Sequence, residues 1–525
     1  MERVKIYDTT LRDGMQGEGI SFSLQDKLLI TQRLDNFGLD YIEGGYPMSN
    51  PKEQQFFRKV REMDLKNAKI VAFGSTRRAN TKIEDDACMQ ALLGCEAPTV
   101  TIVGKSWDMH VTDVLRCTLD DNLTICAESV EYLKSKAREV IFDAEHFFDG
   151  YKENPKYAMK VLAAAADAGA DVLVLCETNG GTLPNEIYEI TKKVCKKFRT
   201  VTIGIHSHND CDCAVASSLA AVEAGARHVQ GTINGLGERA GNANLCTIIP
   251  NLVYKMGFEA ENAEKISSLT ELSRFVFEIA NLAPVMNMPY VGESAFAHKG
   301  GLHIDALRKN DRAYEHIDPK LTGNERRFLI SELSGSASVL AKLENQKLVT
   351  DKALAQKILK AVQNLENEGY QFEAAEASFE ILVKKTLGTY KPSFDLVKYH
   401  VNVERNIDED IITEASVKLK VDGINEHVIS EGDGPVNALD EALRKSLERF
   451  YPNISQMHLI DYKVRVVNAR AGTAARVRVI IESRDSDAMW GTVGVSENII
   501  DASWKALVDS VEYKLLKDAK KAEQG

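Results

Sequence analysis

The sequence predicts an α/β fold: a TIM (β/α)8 barrel, followed by helical linker subdomains and a C-terminal α+β domain. Short apolar segments alternate with amphipathic segments through the first half of the chain. Helical spacing then takes over, and period-two alternation of apolar and polar residues returns after about residue 376. Consecutive strand-then-helix units are typical of a barrel, in which each strand is a short apolar run buried on both faces.

Eight strands are predicted in the barrel region, residues 1–258. They cover residues 4–8, 41–45, 69–74, 99–104, 139–144, 171–176, 201–206 and 228–233. Residues 24–37 and 155–168 between them are amphipathic and predict helices, the second with a stop at Gly169. A doubly wound sheet is the alternative, but no GxGxxG segment follows the first strand.

Residues 259–375 are predicted to form helical linker subdomains. Apolar residues there repeat at helical spacing, as in Ile266, Leu269, Leu272, Val276 and Ile279, and again in Leu354, Ile358, Val362 and Leu365. The stretch 291–327 between these helices is rich in glycine, histidine and arginine, and we interpret it as a functional loop.

Residues 376–525 predict a small α+β domain. Apolar residues alternate with polar ones at Val417, Leu419 and Val421, and at Val477 and Val479. Helices are expected near 436–449 and 498–517, and glycines at 432–435 and within 469–477 mark turns.

Composition excludes several classes of partner. The 525 residues include 77 acids and 65 bases, giving a formal charge of −12, which disfavours binding to a nucleic-acid backbone or an anionic membrane. No apolar run is long enough to span a bilayer, and the first residues lack the apolar core of a secretory signal. The nine cysteines lie irregularly between Cys88 and Cys246, which predicts reduced thiols and a cytoplasmic location.

Polar residues at the predicted strand ends point to a divalent metal site. His206 and His208 lie on the same side of the seventh strand, because side chains alternate with period two. Asp13 after the first strand supplies a carboxylate, and Asn242 a further oxygen. Such ligands suit Mg²⁺, Mn²⁺, Zn²⁺ or Co²⁺. The alternative is a hydrogen-bonded polar cluster that closes the barrel.

Other rim residues have two interpretations each. Arg12 could stabilise negative charge on an oxygen, or form a structural ion pair with Glu145 or Asp8. Thr178 could bind a substrate carboxylate or cap a helix. His303, Asp305 and Tyr314 lie far from the barrel strands in sequence, and from the residues alone they are surface positions as readily as functional ones.

Three separated segments, YDTTLRDGMQGEG, IHSHND and NGLGERAGNANL, resemble the DRE-TIM metallolyase superfamily, although Gly14 stands where the name of the superfamily has glutamate. Within it the chain is similar, from end to end, to the isopropylmalate, citramalate and homocitrate synthase group. The segments DYIEGGYPMSNPKE and IVAFGSTRRAN resemble its citramalate synthase branch. Glu177 departs from the group, in which many members carry aspartate.

The resemblance implies condensation of acetyl-CoA with pyruvate, and hydrolysis to citramalate and CoA, in isoleucine biosynthesis. It assigns the metal to Asp13, His206 and His208, with Asn242 nearby. It also implies a homodimer, and a C-terminal domain that binds an amino-acid effector, expected to be isoleucine.

The same resemblance implies roles for the remaining candidates. The candidate substrate-binding residues are Arg12, Gln16, Glu43 and Thr178, and the candidate catalytic residues are Arg12, Glu145, His303, Asp305 and Tyr314. The last three match a linker motif that relatives insert into the neighbouring subunit's active site. Glu145 and His303 are both candidates for the general base.

Three other functions stay open at this point. A 2-isopropylmalate synthase would use 3-methyl-2-oxobutanoate, in leucine biosynthesis. A lyase would cleave an acyl-CoA, but stand-alone lyases of the superfamily end soon after the barrel. A metal-stabilised amino-acid sensor would not need the intact set of rim residues.

Overall fold

A closed barrel of eight parallel strands forms the first part of the computed structural model of the chain. The structure describes residues 2–136, 138–259, 263–329, 352–405, 411–467 and 475–524. The barrel strands, in chain order and in barrel order, are β1 (Lys5–Asp8), β2 (Tyr41–Gly45), β3 (Lys69–Ser75), β4 (Thr99–Lys105), β5 (Glu139–Glu145), β6 (Val172–Glu177), β7 (Thr202–Ser207) and β8 (His228–Gly231). Each predicted strand starts within one residue and ends within two residues of an observed one, so the predicted barrel is confirmed.

Helices surround the strands and alternate with them along the chain. They are α1 (Leu24–Phe37), α2 (Pro51–Val60), α3 (Ala87–Gly94), α4 (Leu119–Ser135), α5 (Phe147–Glu153), α6 (Pro155–Asp167), α7 (Pro184–Lys197), α8 (Ala214–Glu223), α9 (Leu245–Tyr254) and α10 (Leu269–Ile279). Local signals explain their ends. The Ser23 side chain accepts from the Asp26 backbone N–H at the start of α1, and Gly38 ends that helix with a φ of 93°.

The barrel is filled by side chains and is not a pore. Its interior contains Tyr7, Tyr41, Val71, Ile141 and Val174, all at most 1% exposed. A larger apolar core lies between the strands and the surrounding helices. Burial on both faces explains why the strands appear in the sequence as short apolar runs. The C-terminal ends of the strands are thereby left as the place for polar side chains.

The chain divides into two compact units, residues 1–296 with 317–326, and residues 297–316 with 327–525. The second unit contains β9 (Ala297–His298) and β10 (Arg327–Phe328), which pair with each other. Its helices are α11 (Gly301–Lys309), α12 (Lys352–Asn367), α13 (Glu376–Leu387), α14 (Pro435–Glu448) and α15 (Ile499–Gln524). The domain boundaries drawn after residues 258 and 375 stay predictions.

Two antiparallel sheets of three strands complete the second unit. One has the order β11 (Asp395–Glu404), β12 (Ile412–Val421), β13 (Ile424–Gly432), and the other β14 (His458–Val466), β15 (Val477–Arg484), β16 (Met489–Ser496). Val417, Leu419 and Val421 are fully buried on one face of β12, as their alternation predicts. The C-terminal α+β architecture is therefore confirmed, while residues 469–474 of the predicted second turn lie outside the described residues.

Candidate active site

The C-terminal ends of the barrel strands bring Asp13, His206 and His208 together. One possible ligand atom from each residue lies within 4.8 Å of those of the other two, and all three residues are buried. His206 is on β7, and His208 follows that strand directly. Asp13 lies in the turn after β1, where the Thr9 hydroxyl accepts from its backbone N–H at 3.3 Å. The chain thus gathers, from distant segments, the three residues that the sequence predicts as metal ligands.

Their donor atoms face one another in a way that fits a cation. His206 Nε2 lies 3.4 Å from His208 Nε2 and 3.4 Å from Asp13 Oδ2. Asp13 Oδ1 is buried, and no described residue forms a hydrogen bond with it. Burial works against a proton on His206, but the Asp13 carboxylate raises the pKa of this histidine overall. Electron-rich oxygen and nitrogen atoms that converge in a buried place repel one another unless a positive charge lies between them. A divalent cation bound by these three residues would provide that charge.

Asn242 extends this cluster by one oxygen. Its backbone bridges to His208, and its amide nitrogen donates to the Leu236 carbonyl at 3.2 Å. The amide oxygen is buried and has no hydrogen-bond partner in the part of the chain that the structure describes. Gly237 makes room for this side chain, since a Cβ there would lie 2.1 Å from the amide nitrogen and its φ is 154°. This amide oxygen is therefore suited to be a fourth ligand of the predicted metal ion.

Gln230 is a site residue that the sequence reasoning missed. Its amide oxygen lies 2.9 Å from His206 Nδ1, and its amide nitrogen donates to Asp143 Oδ1 at 3.1 Å. The amide oxygen can only accept, so Nδ1 of His206 is the donor in this contact, and Nε2 is the ring nitrogen turned toward Asp13 and available to a metal ion. Burial raises the pKa of Asp143 to about 7. The available signal was the alternation on β8, which turns Gln230 into the barrel.

Arg12 is held rigidly beside the metal-ligand cluster. Its Nε donates to Glu43 Oε2 at 2.7 Å and its Nη1 to Asp13 Oδ2 at 3.1 Å. Its guanidinium also lies 4.0 Å from the centre of the Phe73 ring. Burial opposes the charge, but the carboxylates of Glu43 and Asp13 raise the pKa of Arg12. The structure thus pairs Arg12 with Glu43 and Asp13, not with Glu145 or Asp8, the partners suggested for a structural ion pair.

Glu43, the partner of Arg12 Nε, is fully buried. Its carboxylate also accepts from Tyr7 at 2.7 Å and from the Thr9 hydroxyl. These contacts use both oxygens, which favours a role in orienting Arg12. Its predicted contact with a substrate stays a prediction. Gln16, the other candidate from this part of the chain, is exposed and ends a short turn, Gly14–Gln16, whose first residue is buried.

Glu145 is the last residue of β5, and Thr178 directly follows the neighbouring strand β6. Glu145 forms an ion pair with Lys105, the last residue of β4. The Thr178 hydroxyl accepts from the His146 backbone N–H at 3.0 Å and keeps its own hydrogen for another partner. Glu177 has a structural role, because its Oε1 accepts from the Gly181 and Thr182 backbones at 3.2 and 3.1 Å.

His303, Asp305 and Tyr314 belong to the second unit. The rings of His303 and Tyr314 stack with their centres 3.9 Å apart, and both residues are exposed. Asp305 forms an ion pair with Lys309 at 2.6 Å, one helical turn away on α11. The structure therefore joins the histidine and the tyrosine into one surface pair. Their predicted contribution to a neighbouring active site stays a prediction.

Comparisons with known proteins match the whole chain. The HMGL-like family matches residues 3–276, the homocitrate synthase post-HMGL domain-like family residues 290–370, and the LeuA allosteric (dimerisation) domain residues 373–515. The chain is 57% identical to (R)-citramalate synthase of Aquifex aeolicus and 53% to that of Geobacter sulfurreducens, in each case over 98% of both proteins. It is 29% identical to 2-isopropylmalate synthase of Methanocaldococcus jannaschii, over 99% of this chain and 96% of that protein.

Proposed function

The chain belongs to the (R)-citramalate synthase family of HMGL-like enzymes, and we infer that it condenses acetyl-CoA with pyruvate and releases citramalate and CoA. It is thus an acyltransferase that converts the acyl group to alkyl on transfer. The observation that carries this inference is 57% identity over 98% of both chains. The 2-isopropylmalate synthase alternative is not favoured, because that relative is only 29% identical.

The rim residues supply a site suited to this chemistry. We propose that Asp13, His206 and His208 hold a divalent cation, with Asn242 as a further oxygen ligand. When bound there, the cation would act as a Lewis acid on the ketone of the 2-oxoacid. Mg²⁺, Mn²⁺, Zn²⁺ and Co²⁺ all suit these ligands.

Arg12 and Thr178 are proposed to bind the 2-oxoacid. The guanidinium of Arg12, fixed by Glu43, would donate to the ketone oxygen as it becomes an alkoxide. The Thr178 hydroxyl, whose hydrogen is not used by the His146 backbone, would donate to the carboxylate. Both groups are already oriented, so little reorganisation is needed when charge develops.

A base must remove a proton from the acetyl-CoA methyl group before the new carbon–carbon bond can form. Glu145 and His303 are the two candidates, and a positioned base of this kind contributes about 10²–10⁴-fold to the rate. The enolate carbon then attacks the ketone carbon of pyruvate. Hydrolysis of the resulting thioester gives citramalate and CoA.

The second unit is proposed to regulate and assemble the enzyme. The match of residues 373–515 to an allosteric (dimerisation) domain supports a homodimer and an amino-acid effector. Isoleucine is the effector expected if citramalate feeds isoleucine synthesis by a threonine-independent route. His303, Asp305 and Tyr314 are proposed to reach the neighbouring subunit's site.

A cytoplasmic location agrees with nine unpaired cysteines. In the part of the chain that the structure describes, no helix has both the length and the apolarity to cross a membrane.

The test is release of CoA thiol from acetyl-CoA by the purified full chain loaded with a divalent metal. Pyruvate, 3-methyl-2-oxobutanoate and 2-oxoglutarate are offered in parallel. We expect strong preference for pyruvate. Preference for 3-methyl-2-oxobutanoate would instead indicate a 2-isopropylmalate synthase of leucine biosynthesis. Absence of CoA release with all three acids would overturn the proposal.

A further inference from the structure

Lys105 and Glu145 form an ion pair at the mouth of the barrel. They are the last residues of β4 and β5 and are direct partners in the register of these parallel strands. Lys105 Nζ contacts Glu145 Oε2. The two side chains are 23% and 24% exposed, so the pair is neither a buried core contact nor a free surface one. It therefore lies where a substrate entering the barrel mouth could reach it.

The backbone on both sides of this pair is held firmly. The Ser106 hydroxyl donates to the Glu145 carbonyl at 2.6 Å, which ties the end of β4 to the end of β5. The buried amide of Asn122 donates to the Lys105 carbonyl at 2.9 Å and to the Tyr157 hydroxyl at 2.8 Å. Side chains that start from fixed backbone and meet each other have little freedom to reorient. The contact therefore fixes where the Glu145 carboxylate points.

Several titratable groups surround Glu145 besides Lys105. Asp143 precedes Glu145 by two residues on β5 and so faces the same side. Asp149, His110 and His146 lie on the segments beside it, and both Lys105 and Glu145 are close enough to His110 to shift the pKa of its ring. Within this set of groups, the Lys105 ammonium contacts the Glu145 carboxylate directly, from the β4 side.

We propose that Lys105 is a positioning residue that keeps the Glu145 carboxylate oriented to act as the general base. The inference rests on the proposed function, and within it on Glu145 as the base. Lys105 occupies Oε2, and Oε1 accepts no hydrogen bond from the described residues, so Oε1 is the oxygen that takes the methyl proton of acetyl-CoA. The electron pair of the broken C–H bond becomes the enolate. Lys105 itself exchanges no proton.

The experiment measures kcat and KM for the full-length, metal-loaded enzyme by CoA release. Lys105→Met is expected to lower kcat by about 10–100-fold while KM for pyruvate and acetyl-CoA stays within about threefold, because a misplaced base costs rate rather than binding. Lys105→Arg keeps the charge and should restore kcat to within about threefold of wild type. Lys105→Gln is measured beside Lys105→Met, with thermal unfolding of every variant.

Lys69→Met is the matched control. Lys69, the first residue of β3, pairs with Glu139, the first residue of β5, at 2.8 Å. This is also a lysine–glutamate ion pair between two barrel strands, but it lies at the opposite end of the barrel and spans β4. Because catalytic residues of such barrels lie at the C-terminal ends of the strands, this variant should keep wild-type kcat.

A double variant separates positioning from direct action on the substrate. Glu145→Gln should lower kcat by about 10²–10⁴-fold. If Lys105 acts through Glu145, Lys105→Met combined with Glu145→Gln is no slower than Glu145→Gln alone. A further loss of 10-fold or more in the double variant, or wild-type kcat in Lys105→Met, would overturn the proposal. Wild type without pyruvate-dependent CoA release would instead overturn the proposed function.

Discussion

Gln230 offers a test of the metal site that does not touch a ligand. Leucine is similar in volume, although one atom shorter, and can neither accept from His206 Nδ1 nor donate to Asp143 Oδ1, the two contacts that Gln230 makes at 2.9 and 3.1 Å. In the Gln230→Leu variant the His206 ring loses the acceptor that fixes its tautomer and orientation. Metal binding should therefore weaken even though Asp13, His206 and His208 are all present.

The expected size follows from these two hydrogen bonds. Loss of a partner that orients a metal-bound histidine typically costs about 10–100-fold in affinity, or roughly 1.4–2.7 kcal/mol. The same change leaves His206 Nδ1 and Asp143 Oδ1 buried and unpaired, at about 1–3 kcal/mol each in the free energy of unfolding. Both effects should appear, because Gln230 is fully buried and water cannot readily replace it.

Isothermal titration of chelator-treated protein with Mn²⁺ measures the affinity, and urea unfolding measures the stability. Thr191→Val is the matched control, since the Thr191 hydroxyl is buried on α7 and has no hydrogen-bond partner among the described residues. It should leave the dissociation constant unchanged. A Gln230→Leu constant within twofold of wild type would refute the reasoning that this amide orients His206.

Two further predictions concern the same half of the chain. His208→Ala should lower Mn²⁺ affinity by about 100-fold or more, measured by titration, and abolish CoA release, measured by the thiol assay. Retained turnover in this variant would contradict the metal assignment. Asp8→Asn should flatten the pH dependence of stability, because burial raises the pKa of Asp8 from 3.8 to about 7. A carboxyl whose pKa is raised in the folded state stabilises the fold most below its unfolded pKa, and this stabilisation is lost as pH rises through about 7. The free energy of unfolding should therefore fall by about 3 kcal/mol between pH 5 and pH 8 through Asp8 alone. Urea unfolding at both pH values checks this, and equal differences in wild type and Asp8→Asn would disprove it.

The barrel could be predicted from sequence because its signals are local. Strands buried on both faces appear as apolar runs, and caps such as Ser23 with Asp26 mark helix starts within four residues. The helix predicted at 24–37 is α1 residue for residue. The alternation of Val417 and Leu419 likewise gave the face that β12 buries.

The metal-ligand cluster was predictable for a related reason. Asp13 and the pair His206 and His208 each stand at a predicted strand end, and all strand ends of a barrel meet at one rim. What a strand end does not reveal is the partner of each side chain. Glu145 and Asp8 were the partners considered for a structural ion pair of Arg12, yet Arg12 pairs with Glu43 on the neighbouring β2 and with Asp13.

Register explains why one pair of partners follows from the predicted strand starts and another does not. Lys105 with Glu145 and His206 with Gln230 are both register partners on adjacent strands. For β4 and β5, aligning the predicted starts at 99 and 139 gives the observed pairing. For β7 and β8, aligning the predicted starts at 201 and 228 would pair His206 with residue 233, whereas the structure pairs it with Gln230. Strands in a closed barrel tilt and are staggered by its shear, so this offset is a property of the closed sheet and not of any single segment. A sequence can therefore supply the ligands of this site, but the residues that orient them become visible only once the barrel is closed.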